Sequence, residues 1–201
     1  MDKQLLVDYT VFEVSPHQIN ESLSQNNGKL IVKGVLQRAE AKNQNGRIYP
    51  KEVLMREANK YAGSFVKERR ALGELDHPDS SVVNLNNVSH NVLGMNWSGD
   101  DLVGTVEVLS TPSGNILKEL FKSGIRLGIS SRGMGSGKEV MREGDNTLEV
   151  QPDFELIAFD FVSNPSTHGA FLSPVNEAVN KVVQDKYSNI NNIITNIIRE
   201  F

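Results

Sequence analysis

The sequence predicts one folded body that mixes β-strands with α-helices and ends in a helical appendage. Three observations carry that reading. Strand-like runs recur from "KQLLVDYTVFEV" (3–14) to "TLEVQPDFELIAFDFVSNPS" (147–166). Two inner segments, 50–62 and 111–124, repeat apolar residues at helical spacing. From Val175 onward Ala178, Val179, Val182, Val183, Tyr187, Ile190, Ile193, Ile194, Ile197 and Ile198 do the same over a much longer stretch. A length of 201 residues suits one domain with a real core, or one domain plus such a tail.

Composition narrows the class. Apolar residues make up 38% and charged residues 23%, as in ordinary globular proteins. A net charge of −4 argues against a general nucleic-acid binder, which needs a basic face. There is no cysteine, hence no disulfide framework, thiolate metal site or cysteine nucleophile. "MDKQLLVDYTVFEV" lacks the basic start and apolar core of a signal peptide, and no apolar run reaches the ~18 residues of a membrane span.

Along the chain, residues 3–14 read as a strand and "SPHQINESLSQNNG" (15–28) as a polar, turn-rich connection. "KLIVKGVLQRAEA" (29–41) is a strand with a glycine interruption, and "KNQNGRIYP" (42–50) a loop. Pro50 opens a helix whose stripe is Val53, Leu54, Ala58 and Tyr61. "VSHNVLGMNWSGDDLVGTVEVLS" (88–110) reads as two strands around a Ser-Gly-Asp-Asp turn. Thr111 caps a helix carrying Ile116, Leu117, Leu120 and Phe121, and Gly124 stops it. "IRLGISSRGMGSG" (125–137) is expected to be a short strand running into a glycine-rich turn.

Three places hold residues suited to chemistry. "LGELDHPDS" (72–80) sets His77 in a turn among Glu74, Asp76 and Asp79. Histidine is the commonest general base, although a histidine before proline also serves as a solvated turn residue. "GISSRGMGSG" (128–137) offers Ser130 and Ser131 beside small residues, and serine becomes a nucleophile once a base takes its proton; the same letters also spell a plain turn. Asp160 lies in the apolar run "LIAFDFV", where a carboxylate needs a partner. That partner is either an arginine or backbone turn, or an imidazole that the acid orients. His90 is a competing base, and two histidines without a third ligand make a poor metal site.

These phrases have a family resemblance. "NGRIYP", "ALGELDHP", "VSHNVLGM", "TPSGNILKELFKSGIRLGISSRGMGSG" and "DFELIAFDFVSNPS" stand in order over residues 30–170. The chain resembles the prohead core serine proteases of T-even-like bacteriophages, a group similar in fold to the herpesvirus assemblins. The resemblance implies an α+β fold, with a compact antiparallel β-barrel-like sheet flanked by helices, to which the helical spacing after Val175 adds the long C-terminal amphipathic helix. Together they divide the chain into a serine protease domain over 1–172 and a helical tail over 173–201 that is cut off or drives homo-oligomerisation.

The resemblance also implies roles. His77 is the base and a serine of "GISSRG" the nucleophile. Ser131 is preferred because the small Gly133 lies two places on; "GIS" also fits a Gly-Leu-Ser pattern that would make Ser130 catalytic. Asp160 is expected as the third member, with His90 as the alternative to it. Backbone N–H groups of Arg132 and Gly133 are expected at the oxyanion. No metal or organic cofactor is required. The implied substrates are phage scaffold and capsid proteins inside the prohead assembling in the host cytoplasm, cut after glutamate in an apolar-x-Glu motif. Glu177 and Glu200 follow such motifs in this chain and are expected autocleavage points. The competing expectation is a non-catalytic prohead core or scaffold component with the same fold.

Overall fold

A computed structural model describes residues 3–142 and 144–163. The expected C-terminal helix, the 172/173 boundary, Glu177 and Glu200 lie outside the described residues. Among those described are ten strands and three α-helices. They run β1 (Gln4–Phe12), α1 (Pro16–Gln25), β2 (Leu30–Arg38), β3 (Arg47–Ile48), α2 (Lys51–Tyr61), β4 (Leu72–Glu74), β5 (Val88–Ser98), β6 (Asp101–Val108), α3 (Pro112–Lys122), β7 (Leu127–Gly135), β8 (Gly137–Arg142), β9 (Asp145–Val150) and β10 (Glu155–Val162).

The two expected inner helices form. In α2 the predicted stripe of Val53, Leu54, Ala58 and Tyr61 is buried. Thr111 caps α3 by accepting the Gly114 N–H at 3.0 Å, and Gly124 adopts φ 72° just past its end. Helix α1 occupies the segment expected to be a turn-rich connection. Ser15 and Gln18 form a reciprocal capping box and Pro16 sits in the first turn, which starts the helix. Only Ile19 and Ser22 are buried in it, so its apolar stripe is too thin for periodicity to reveal.

Strand β7 departs furthest from expectation. The glycine-rich run is a nine-residue central strand, paired antiparallel with β1 on one side and β10 on the other. Its glycines serve close packing: a Cβ on Gly133 would lie 2.4 Å from the Phe154 ring and 2.6 Å from the Glu155 carbonyl.

The expected barrel-like sheet is corrected too. The described strands form three open sheets, ordered β1-β7-β10, β2-β6-β5-β4 and β3-β9-β8. The first two meet at one bridge, between Leu75 just after β4 and Phe161 of β10. No ladder joins β1 to β2 among the described residues, so the circuit stays open there. The fold is mainly β, with the helices packed on the sheets. Phe12, Phe121 and Phe161 meet edge-on or tilted in the core between them.

Candidate active site

Opposed residues in an antiparallel ladder share a face, and neighbours along a strand alternate. Ser130 stands opposite Tyr9 of β1 and Asp160 of β10. Arg132, two residues on, shares that face. Ser131 stands opposite Asp8 and Phe159 on the other face. The two serines therefore belong to different environments.

On the Ser130 face, Arg132 is fully buried. Its Nη2 donates to Glu74 Oε1 at 3.0 Å and to Asp160 Oδ1 at 3.1 Å, and its Nη1 donates to the Ser80 carbonyl at 2.8 Å. Its Nε lies 2.9 Å from Asp160 Oδ2, an ion contact without the alignment of a hydrogen bond. Asp160 Oδ1 also accepts the Glu74 N–H at 3.0 Å. Two carboxylates thus share one guanidinium away from water. Burial pushes the Asp160 carboxyl up to about 6, against the pull of Arg132. Its two oxygens meet Arg132 and the start of the His77 turn, so the arginine and backbone partners that the sequence left open are the ones it has.

The turn carrying His77 crosses the same face. Asp76 takes a left-handed φ of 65°, donates its N–H to the Phe161 carbonyl at 2.7 Å, and accepts the His77 N–H at 3.0 Å. Four residues later Ser80 lies on Arg132. The turn is thus pinned at one end beside Asp160 and at the other beside Arg132, the residues flanking Ser130 across and along the sheet. His77 Nδ1 and Ser130 Oγ are both buried and have no hydrogen-bond partner among the described residues.

Ser131 donates to the Asp8 carbonyl at 3.3 Å. Asp8 is itself buried, and its carboxylate accepts from Arg47 Nη1 at 2.9 Å, from Asn45 Nδ2 at 2.8 Å and from the Tyr49 hydroxyl. Three letters of "NGRIYP" therefore converge on one carboxylate behind β7. Burial, reinforced by Asp8, holds the Tyr49 phenol well above its ordinary value. Sequence reasoning missed Asp8; an acid inside a strand-like run, as at Asp160, was the available signal.

His90 is a core residue. It is fully buried, with Nδ1 2.9 Å from Ser89 Oγ and Nε2 2.9 Å from the Phe159 carbonyl. Nε2 therefore carries the proton and donates, and burial lowers the imidazole to about 4. Arg132 and Gly133 lie within both ladders, and the side chain of Arg132 is committed to the two acids. Among the described residues no cluster of three or more histidine or acidic side chains could hold a metal ion, and no helix is long and apolar enough to cross a membrane.

Residues 9–180 match the family described as prohead core protein serine protease. The chain is 31% identical over 154 residues to the prohead core protein protease of Enterobacteria phage T4, covering 72% of this chain and 68% of that one. Its fold is similar to the solved structure of the bacteriophage T4 capsid assembly protease, with a TM-score of 0.70 and 28% identity, covering 82% of this chain and all of that one.

Proposed function

The chain belongs to the prohead core protein serine protease family, and from that premise we propose that it is a serine endopeptidase using His77 as base and Ser130 as nucleophile. Its proposed substrates are the scaffold, core and capsid proteins of the prohead in which it is enclosed, and its own chain. His77 takes the Ser130 proton as Oγ attacks the scissile carbonyl. It returns that proton to the leaving amine, and water then releases the acyl group by the reverse sequence.

One observation supports this pair above Ser131. Ser130 Oγ and His77 Nδ1 both lack partners among the described residues, and the turn of His77 is anchored at Asp160 and Arg132 around Ser130, whereas the Ser131 hydroxyl is engaged by the Asp8 carbonyl on the opposite face. Asp160 is a positioning residue in this reading: with Glu74 it holds Arg132, and Arg132 holds the turn. Glu177 and Glu200 remain the proposed autocleavage points, and removal of 178–201 is expected to raise activity.

A serine-directed phosphonate followed by mass mapping tests the assignment. Modification of Ser130 is expected. Modification of Ser131 would move the nucleophile by one residue. An unlabelled chain that is folded would favour a core component without activity.

A further inference from the structure

The open side of the strand circuit is itself a cleft. Among the described residues strand β1 pairs only with β7, and β2 only with β6, so each presents a free edge there. The two edges flank a hollow of about 500 Å³ whose lining includes Tyr9, Val11, Val35, Gln37 and Asn43. Free edges bond other strands, and proteins generally cover them. Here the cover is partial. At one flank the Val7 carbonyl accepts from Asn45 Nδ2 and Arg47 Nη1. At the other, Ser22 Oγ bonds both the N–H and the carbonyl of Ile31. These bonds show which peptide groups face outward: Val7 on β1 and Ile31 on β2. By alternation, Tyr9 and Val11 on β1 and Lys33 and Val35 on β2 also face outward. None of these four has a side-chain or turn partner for its backbone among the described residues. One side chain over nine-tenths buried along the hollow, Gln37, has a polar atom, Oε1, without a hydrogen-bond partner among the described residues, while the Tyr9 ring and hydroxyl lie over Gly128 of β7.

We infer that an extended stretch of the substrate polypeptide docks in this cleft as an added strand on the β1 edge. The occupant follows from continuity with the proposed site, on which this inference rests: Tyr9 lines the cleft and stands directly opposite Ser130. Backbone pairing holds any sequence that can extend, and Gln37, whose side chain also bonds Tyr49, adds one acceptor through Oε1. A strand on the outer edge of β1 lies two strand spacings, about 10 Å, from β7, which about three extended residues span. The docked stretch is therefore separated by about three residues from the bond that reaches Ser130.

The test uses the full chain carrying Ser130→Ala and Ser131→Ala, so that binding is read without cleavage. The probe is a fluorescein-labelled 12-residue peptide with Ile-x-Glu at its centre. Hydrogen exchange should slow on binding at the Tyr9 and Val11 amides and stay unchanged at Asp8 and Thr10, which bond β7. Val11→Pro removes one outward N–H and should weaken binding about tenfold. If that variant does not fold, Gln37→Leu should weaken binding about threefold with the circular dichroism unchanged. Protection confined to the separate hollow around Tyr61 and Leu85, or cleavage by the unmodified chain of a peptide that leaves the β1 amides unprotected, would overturn the docking. Alternate protection on β1 with no cleavage by the unmodified chain would support the docking and remove the peptidase reading.

Discussion

Asp160→Asn separates two jobs for one buried acid. If Asp160 oriented the catalytic imidazole, the amide would favour the wrong tautomer and cost about 10⁴-fold in kcat. The geometry assigns it to Arg132 and to the Glu74 N–H instead, and an asparagine oxygen can still accept from both. Activity should therefore fall by no more than about tenfold. Stability should respond more distinctively. The folded carboxyl titrates at about 6 against an ordinary 3.8, which corresponds to roughly 3 kcal/mol. Between those values the folded chain holds a proton that the unfolded chain has lost, so this group's contribution falls as pH rises and its penalty is complete above about 6. The asparagine variant lacks that penalty. Its stability relative to the parent should therefore rise by ~2.4 kcal/mol from pH 4 to pH 7, a melting-temperature gap of roughly 5–10 °C for a domain of this size. Thermal unfolding across that range, beside peptide cleavage at pH 7, measures both. A 10⁴-fold loss of kcat would return Asp160 to the imidazole, and parallel stability curves would refute the buried, costly carboxylate.

Other consequences follow from the same contacts. Arg132→Met leaves Glu74 and Asp160 buried without their cation and should cost about 3–5 kcal/mol in denaturant unfolding, partly recovered when Asp160→Asn is added. Ser130→Ala should lower kcat by about 10⁴-fold or more, while Ser131→Ala, losing one long bond to Asp8, should stay within about threefold in the same cleavage assay. His90 should remain neutral down to about pH 5, visible as an NMR ring signal that does not shift between pH 5 and 8, so its titration cannot set the activity profile there. Asp8→Ala strands Arg47, Asn45 and the Tyr49 hydroxyl and should cost about 3 kcal/mol in urea unfolding.

Much of this molecule is local, and what is local was readable. The 3.6-residue spacing of Val53, Leu54, Ala58 and Tyr61 marks α2 wherever the helix ends up, and Thr111 and Gly124 bracket α3 by backbone chemistry within one turn. The Ser-Gly-Asp-Asp turn needs only Gly99 at φ 60° to join β5 and β6. The motifs around His77 and the serine pair carry the family resemblance in their own letters. Tertiary structure decided what depends on partners distant in sequence. Helix α1 rests on its caps and on packing of Ile19, not on a stripe. The glycine-rich run is a strand because β1 and β10 bond it from both sides, a fact held more than a hundred residues away in one case. Which serine shares a face with Asp160 is a matter of register, and a one-residue shift exchanges the two. Asp160 reads as a lone acid in sequence; only the fold brings Arg132 and Glu74 to it from β7 and β4, because a buried carboxylate must find its countercharge in space rather than along the chain.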